Sequence, residues 1–297
     1  MRLRRKKLLS LLFVLMMMLP AAVAEEENAP LLEVHQLAIG YADGYFIRCG
    51  DIEMLIDGGK PVPFARNTDV LDNLRALGAT ELDMYIVTHW HLDHCENVNP
   101  VLEAFGTAET AVYSPSEEVP EKVSHDKGPL LVAPLVNGVY RQMKQGDVIE
   151  VGPLTITCIG PAEVKQKGKV NGDSLNFILQ HGRRRILFTG DYTGTKDVQA
   201  FEQLCSQVDV RKFPHHGSTP YEIKPAAMRI VAPTYVLVPS TFNNYQVYKY
   251  FKDNGVDVPR ENVVTQREGH IVVVTDGADF FEVRTQQNPA DYAPQAE

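Results

Sequence analysis

The segment Thr88-His89-Trp90-His91-Leu92-Asp93-His94 packs three imidazoles and a carboxylate into the six residues from His89 to His94. Neutral imidazole and carboxylate are donors that hold Zn²⁺ at about 2.0–2.2 Å. The run follows Met84–Val87, an apolar stretch that reads as a buried strand. In an extended segment side chains alternate, so His89 and His91 point the same way. Asp93 and His94 then reach a neighbouring position as the chain turns into the next helix. One histidine in a core is commonplace, but this density at a strand end is a metal-binding pattern. Competing chemistries lack their marks: there is no G-x-S-x-G elbow, phosphate-binding Walker loop or dinucleotide fingerprint.

Short apolar strands interleaved with helical stretches must position this run, which is the pattern of an α/β domain. Strands are expected at Leu32–Ile39, Tyr45–Cys49, Met54–Ile56, Leu154–Ile159, Leu175–Leu179, Arg185–Phe188 and Val208–Phe213. Helical spacing over Asn67–Leu77 closes at Gly78, and Val98–Phe105 reads as a second helix. Further helices are expected at Leu130–Lys144, weakened by Pro134 and Gly138, and near Val198–Leu204. Residues 114–130 read as a long surface loop, and 286–297 as a flexible polar tail. Cys49, Cys95, Cys158 and Cys205 match no small disulfide framework and read as unpaired core thiols.

The chain resembles the metallo-β-lactamase superfamily, on H-x-H-x-D-H together with three further motifs in the right order. These are Ile56-Asp57-Gly58-Gly59, Thr189-Gly190-Asp191 and Phe213-Pro214-His215-His216-Gly217-Ser218. The resemblance covers about residues 31–285 and implies a four-layer αββα sandwich within a domain spanning 25–285. Asn171-x-x-Ser174-Leu175, His215-His216-Gly217-Ser218 and the segment Thr265 to Gly277 are most similar to the branch containing the extracellular domain of the DNA-uptake channel ComEC. Bacterial surface phosphorylcholine esterases share several of these features.

The resemblance implies two metal ions. His89 and His91 would hold one, Asp93 and His94 the second, and Asp191 would bridge them. One of His215 and His216 would complete a site; on strand alternation the other lines the pocket. His215, nearer the strand end, is favoured as the ligand, which leaves His216 and Asp93 as candidate catalytic groups. Zn²⁺ is the default for such donors, with Mn²⁺ or Fe²⁺ as alternatives. Asp57 is either a support for the metal-binding loop or an ordinary turn aspartate. The further His that many relatives carry is absent, since Val170-Asn171-Gly172-Asp173-Ser174 stands there. His125 is the one loop histidine that could compensate, and is read as solvent-facing. Cys95, beside His94, reads as a buried thiol; His35, His181 and His270 are assigned to fold or surface.

A paired-metal site suits hydrolysis of phosphodiesters, lactones, thioesters or β-lactams. The reading is a metal-dependent hydrolase, foremost a phosphodiesterase, acting on a small or phosphoester substrate. The alternatives are a β-lactamase or lactonase, and a surface binding module that has lost a metal. The formal charge is −9, and −14 without the five basic residues at positions 2–7, which argues against broad nucleic-acid binding. Lys165-Lys167-Lys169 and Arg183-Arg184-Arg185 read as solvated hairpin tips, with phosphate contact the lesser alternative. Residues 1–24 form a basic stretch, a 12-residue apolar run and Ala22-Val23-Ala24, a secretory signal too short for the ~20 residues of a membrane span. The expected product is a secreted protein with no membrane association after cleavage.

Overall fold

The computed structural model describes residues 29–60, 69–123, 130–192, 208–218, 229, 231–240 and 244–286. The signal segment, His125, Cys205, the helix expected at Val198–Leu204 and residues 287–297 of the tail lie outside the described residues.

In chain order the elements begin with β1 (Leu32–Gln36), β2 (Gly44–Cys49), β3 (Ile52–Gly58), α1 (Val70–Ala76) and β4 (Met84–Ile86). They continue with α2 (Leu92–Cys95), α3 (Val98–Phe105), β5 (Ala111–Ser114), β6 (Lys122–Val123), β7 (Leu130–Leu131) and β8 (Val139–Gln142). Next come β9 (Val148–Val151), β10 (Leu154–Gly160), β11 (Asn176–His181), β12 (Arg184–Phe188), β13 (Val210–Lys212) and β14 (Tyr235–Val238). α4 (Tyr245–Asp253), β15 (Val263–Thr265), β16 (His270–Thr275) and β17 (Phe281–Gln286) complete the set.

One sheet runs β17-β16-β1-β2-β3-β4-β5-β8 and the other β15-β14-β13-β12-β11-β10-β9. Their inner faces meet in a core that includes Val34, Ile47, Ile56, Ile156, Phe177, Leu179 and Phe188, where alternate side chains of each strand point inward. α1 and α3 cover the outside of the first sheet through Leu74, Val98, Val101 and Leu102 against Leu55, Tyr85 and Val87. α4 covers the second through Val247 and Phe251 against Phe213 and Val236. Helix, sheet, sheet, helix is the αββα sandwich that the resemblance implies.

The helix at Val98–Phe105 has the expected bounds. α1 is capped by Asp69, whose Oδ1 accepts the Leu71 N–H at 3.1 Å. Leu130–Lys144 is not a helix: it contains β7 and β8. Gly138 sits at φ 91°, outside helical space, and the chain beyond it joins the first sheet as β8, parallel to β5. A ladder against β5 outcompetes a helix already broken by Pro134 and Gly138. The long loop expected over 114–130 contains the two-residue strand β6, paired with β7. Cys49, Cys95 and Cys158 are buried, as expected, and no disulfide joins any two of them.

Two parallel stretches fix where chemistry occurs. β3 and β4 run parallel in one sheet, and β12, β13 and β14 in the other. Their carboxyl ends carry Asp57, His89–His94, Gly190-Asp191 and His215-His216, all converging on one edge of the sandwich. Arg183 and Arg184 lie at the opposite end of β12, paired with Asp279 and Asp209, so they do not face this edge.

Candidate metal centre

Thr88 begins the site. Its N–H donates to Asp57 Oδ1 at 2.8 Å and its hydroxyl to Asp57 Oδ2 at 2.7 Å. The second oxygen also accepts the His94 Nδ1–H at 2.8 Å. Asp57 therefore ties the strand end to the first turn of α2 and leaves His94 Nε2 facing inward, which is the supporting role rather than that of a turn aspartate. Across the sandwich, Leu175 N–H donates to Thr88 O at 2.9 Å, and Asp191 N–H to Ser174 Oγ at 3.2 Å. Gly190 makes this approach possible: at φ 47° an added Cβ would fall 2.7 Å from Thr88 Oγ1.

His89 and His91 face the same way, as alternation requires, with ring centroids 4.5 Å apart. His91 Nε2–H donates to Lys169 O at 3.0 Å, which leaves Nδ1 with the lone pair. Besides the trio Asp43, Asp57 and His94, two groups of donor atoms lie each within 4.8 Å: His89, His91 and Asp191, and Asp93, His94, Asp191 and His216. Asp191 belongs to both.

Of His215 and His216, the structure brings His216 rather than the expected His215 among the donor atoms. They are not on a strand, because β13 ends at Lys212. Both take left-handed conformations (φ 50° and 53°) in a tight turn closed by Gly217 at φ 71°. Alternation of faces therefore does not apply. The turn buries His216 in the cluster, with Nε2 3.1 Å from Asp93 Oδ2 and 3.5 Å from Asp191 Oδ2. His215 stays partly exposed at the rim, 3.3 Å from the Asn171 amide nitrogen. Two consecutive non-glycine residues in that region are costly, of order 1–3 kcal/mol each, and such strain concentrates at functional sites.

Sequence reasoning missed Asp43 and Lys212. Asp43 precedes β2 and was legible only as a turn residue, but the pairing of Gly44 with Gly58 brings it beside Asp57. Its Oδ1 lies 3.2 Å from His216 Nδ1, and its Oδ2 2.5 Å from Lys212 Nζ. Lys212 is buried, bonds to Gly190 O, and lies 3.6 Å from Asp191 Oδ1. Two consecutive cations, Arg211 and Lys212, in an apolar strand were the available signal.

The electrostatics favour a bound cation. Asp43, Asp57 and Asp191 are buried and Asp93 partly so, while Lys212 is the one lysine or arginine in direct contact with them among the described residues. Burial opposes charge on His94 and His216, yet the surrounding carboxylates, Asp191 foremost, outweigh it and hold both imidazoles well above their ordinary range. Burial lowers His89 well below that range, with His94 adding to the effect. His89 Nε2 and Asp191 Oδ1 are buried without hydrogen-bond partners among the described residues, and the buried His94 Nε2 lies 3.2 Å from Asp191 Oδ2. Buried polar atoms are rarely left so. Buried carboxylates and imidazoles converging around a single lysine are a donor set that divalent metal ions satisfy, so the residues present fit such ions.

The comparisons agree with this geometry. Residues 55–255 match a beta-lactamase superfamily domain. A UPF0173 metal-dependent hydrolase of Pyrococcus abyssi is 26% identical over 202 residues, covering 66% of this chain and 80% of the relative. The fold resembles that of YhfI of Bacillus subtilis, a metallo-beta-lactamase fold protein (TM-score 0.51, 14% identity, 75% of this chain and 92% of that one). It also resembles Tm1679, a metal-dependent hydrolase of the beta-lactamase superfamily (TM-score 0.51, 14% identity, 79% and 94%).

Proposed function

Because the chain belongs to the metallo-β-lactamase superfamily and is similar in sequence to a metal-dependent hydrolase, we propose that its own reaction is hydrolysis of a phosphodiester outside the cytoplasm. His89, His91 and Asp191 would hold one ion, and Asp93, His94, His216 and Asp191 the other. Zn²⁺ is the first choice and Mn²⁺ the second. Such ions supply Lewis acidity and an activated water.

The chain's own groups would do the rest. Asp93, the most exposed of the carboxylates, can orient the attacking water and accept its proton. The observation that carries the phosphodiester reading is the pair at the rim, His215 and Asn171, two polar groups beside the cluster that belong to neither donor group. A ring N–H of His215 can donate to a phosphoryl oxygen or protonate the leaving alkoxide, a role worth about 10²–10⁴ in rate. A β-lactam would need a cation for its carboxylate, and Lys212 is turned inward to Asp43 and Asp191. The Asn-x-x-Ser and His-His-Gly-Ser similarity to the ComEC-type branch and to phosphorylcholine esterases supports the same reading.

With metal supplied, bis(p-nitrophenyl) phosphate should turn over faster than nitrocefin. Faster nitrocefin turnover would move the assignment to β-lactams. Turnover of neither by metal-loaded protein would favour a binding module.

A further inference from the structure

We infer that Asp173 is a positioning residue for the half of the site built on His89 and His91, acting through the loop that carries Lys169. The inference rests on reading His91 as a metal ligand. Asp173 is buried, and its carboxylate gathers three backbone donors from the loop before it. Lys165 N–H reaches Oδ1 at 2.8 Å, while Gln166 N–H and Gly168 N–H reach Oδ2 at 2.8 and 3.0 Å. One side chain thus closes residues 165–173 on themselves.

The closed loop is fastened to the histidine run at two successive positions. Trp90 N–H donates to Gly168 O at 2.7 Å, and His91 Nε2–H donates to Lys169 O at 3.0 Å. Gly168 is seated against the buried Trp90 indole. At φ 75° it has no room for a Cβ, which would come within 2.9 Å of Trp90 Cδ1 and 3.1 Å of Pro115 Cγ. The path is short: carboxylate to Gly168 amide, one peptide on to Lys169 O, then the imidazole. Lys169 O fixes both the ring angle and the tautomer of His91, so that Nδ1 keeps the lone pair. A histidine ligand depends on such a partner for its second nitrogen.

The other half of the site has its own supports and does not use the loop. Asp57 orients His94, and Asp43 flanks His216. The His89–His91–Asp191 group has three donors among the described residues. Each donor's orientation therefore counts for more there than in the four-donor group.

Co²⁺ titration followed by visible absorption, with elemental analysis of the loaded protein, tests this. The set is wild type, Asp173→Asn, Asp173→Ala, His91→Ala and Lys167→Ala. The asparagine variant keeps the volume but turns an amide N–H towards backbone donors. Both Asp173 variants should lose about 10–100-fold in affinity for one of two Co²⁺ equivalents. Their spectra should match that of His91→Ala, with the second equivalent retained. Lys167→Ala, which removes an exposed ion pair with Glu118, should bind as wild type does. Wild-type binding of both equivalents by Asp173→Asn, or equal weakening of both with circular dichroism unchanged, overturns the role of Asp173 while leaving the metal reading intact. Wild-type protein that takes up no Co²⁺ overturns the metal reading and this inference with it.

Discussion

His215 and His216 are neighbours in sequence but differ in what surrounds them. His216 is enclosed by Asp43, Asp93 and Asp191, with the Tyr41 ring 4.4 Å away, whereas His215 meets Asn171 at the rim. Truncating each should separate holding metal from using it. His216→Ala removes a donor from the four-donor group, so metal content and hydrolysis should fall together. His215→Ala should keep its metal and lose about 10²–10⁴ in kcat, the range for a lost acid–base group. Elemental analysis beside steady-state kinetics reads both, and metal loss in His215→Ala would contradict the assignment. The pair also marks a limit of sequence reasoning. The motif located both residues, but choosing between them required backbone angles that strand alternation could not supply.

The elements were legible in proportion to how local their causes are. α3 was readable because apolar spacing and helix length agree, and β1–β4 and β10–β13 because apolar runs end at turn residues. Leu130–Lys144 misled because its composition permits a helix for most of its length, while a long-range ladder to β5 decides the outcome. The same reason hid Asp43, Lys212 and Asp173. Asp43 reaches the cluster through the pairing of β2 with β3, and Lys212 from the end of β13 in the other sheet. Asp173 acts on His91 across a loop. None of the three carries a motif of its own. The donors His89, His91, Asp93, His94 and Asp191 do, because their spacing is itself the chemistry.

At the scale of the molecule, the sandwich brings the carboxyl ends of parallel strands from both sheets to one edge, where buried carboxylates exceed the fixed positive charge. The negative body, −14 without residues 1–24, disfavours long polyanions. Among the described residues no helix is long and apolar enough to cross a membrane. If the first 24 residues act as a secretory signal, N-terminal sequencing of exported protein should begin at or near Glu25, and an intact Met1 would contradict cleavage.

A two-ion centre shared through Asp191, as proposed, is read out by metal content. Elemental analysis of the purified protein, after chelation and reloading, should find two equivalents of divalent metal per chain. Asp191→Ala should lose both ions or hold them far more weakly, since its carboxylate belongs to both donor groups. Wild-type protein that binds no stoichiometric metal, or Asp191→Ala that retains two equivalents at wild-type affinity, would contradict the account.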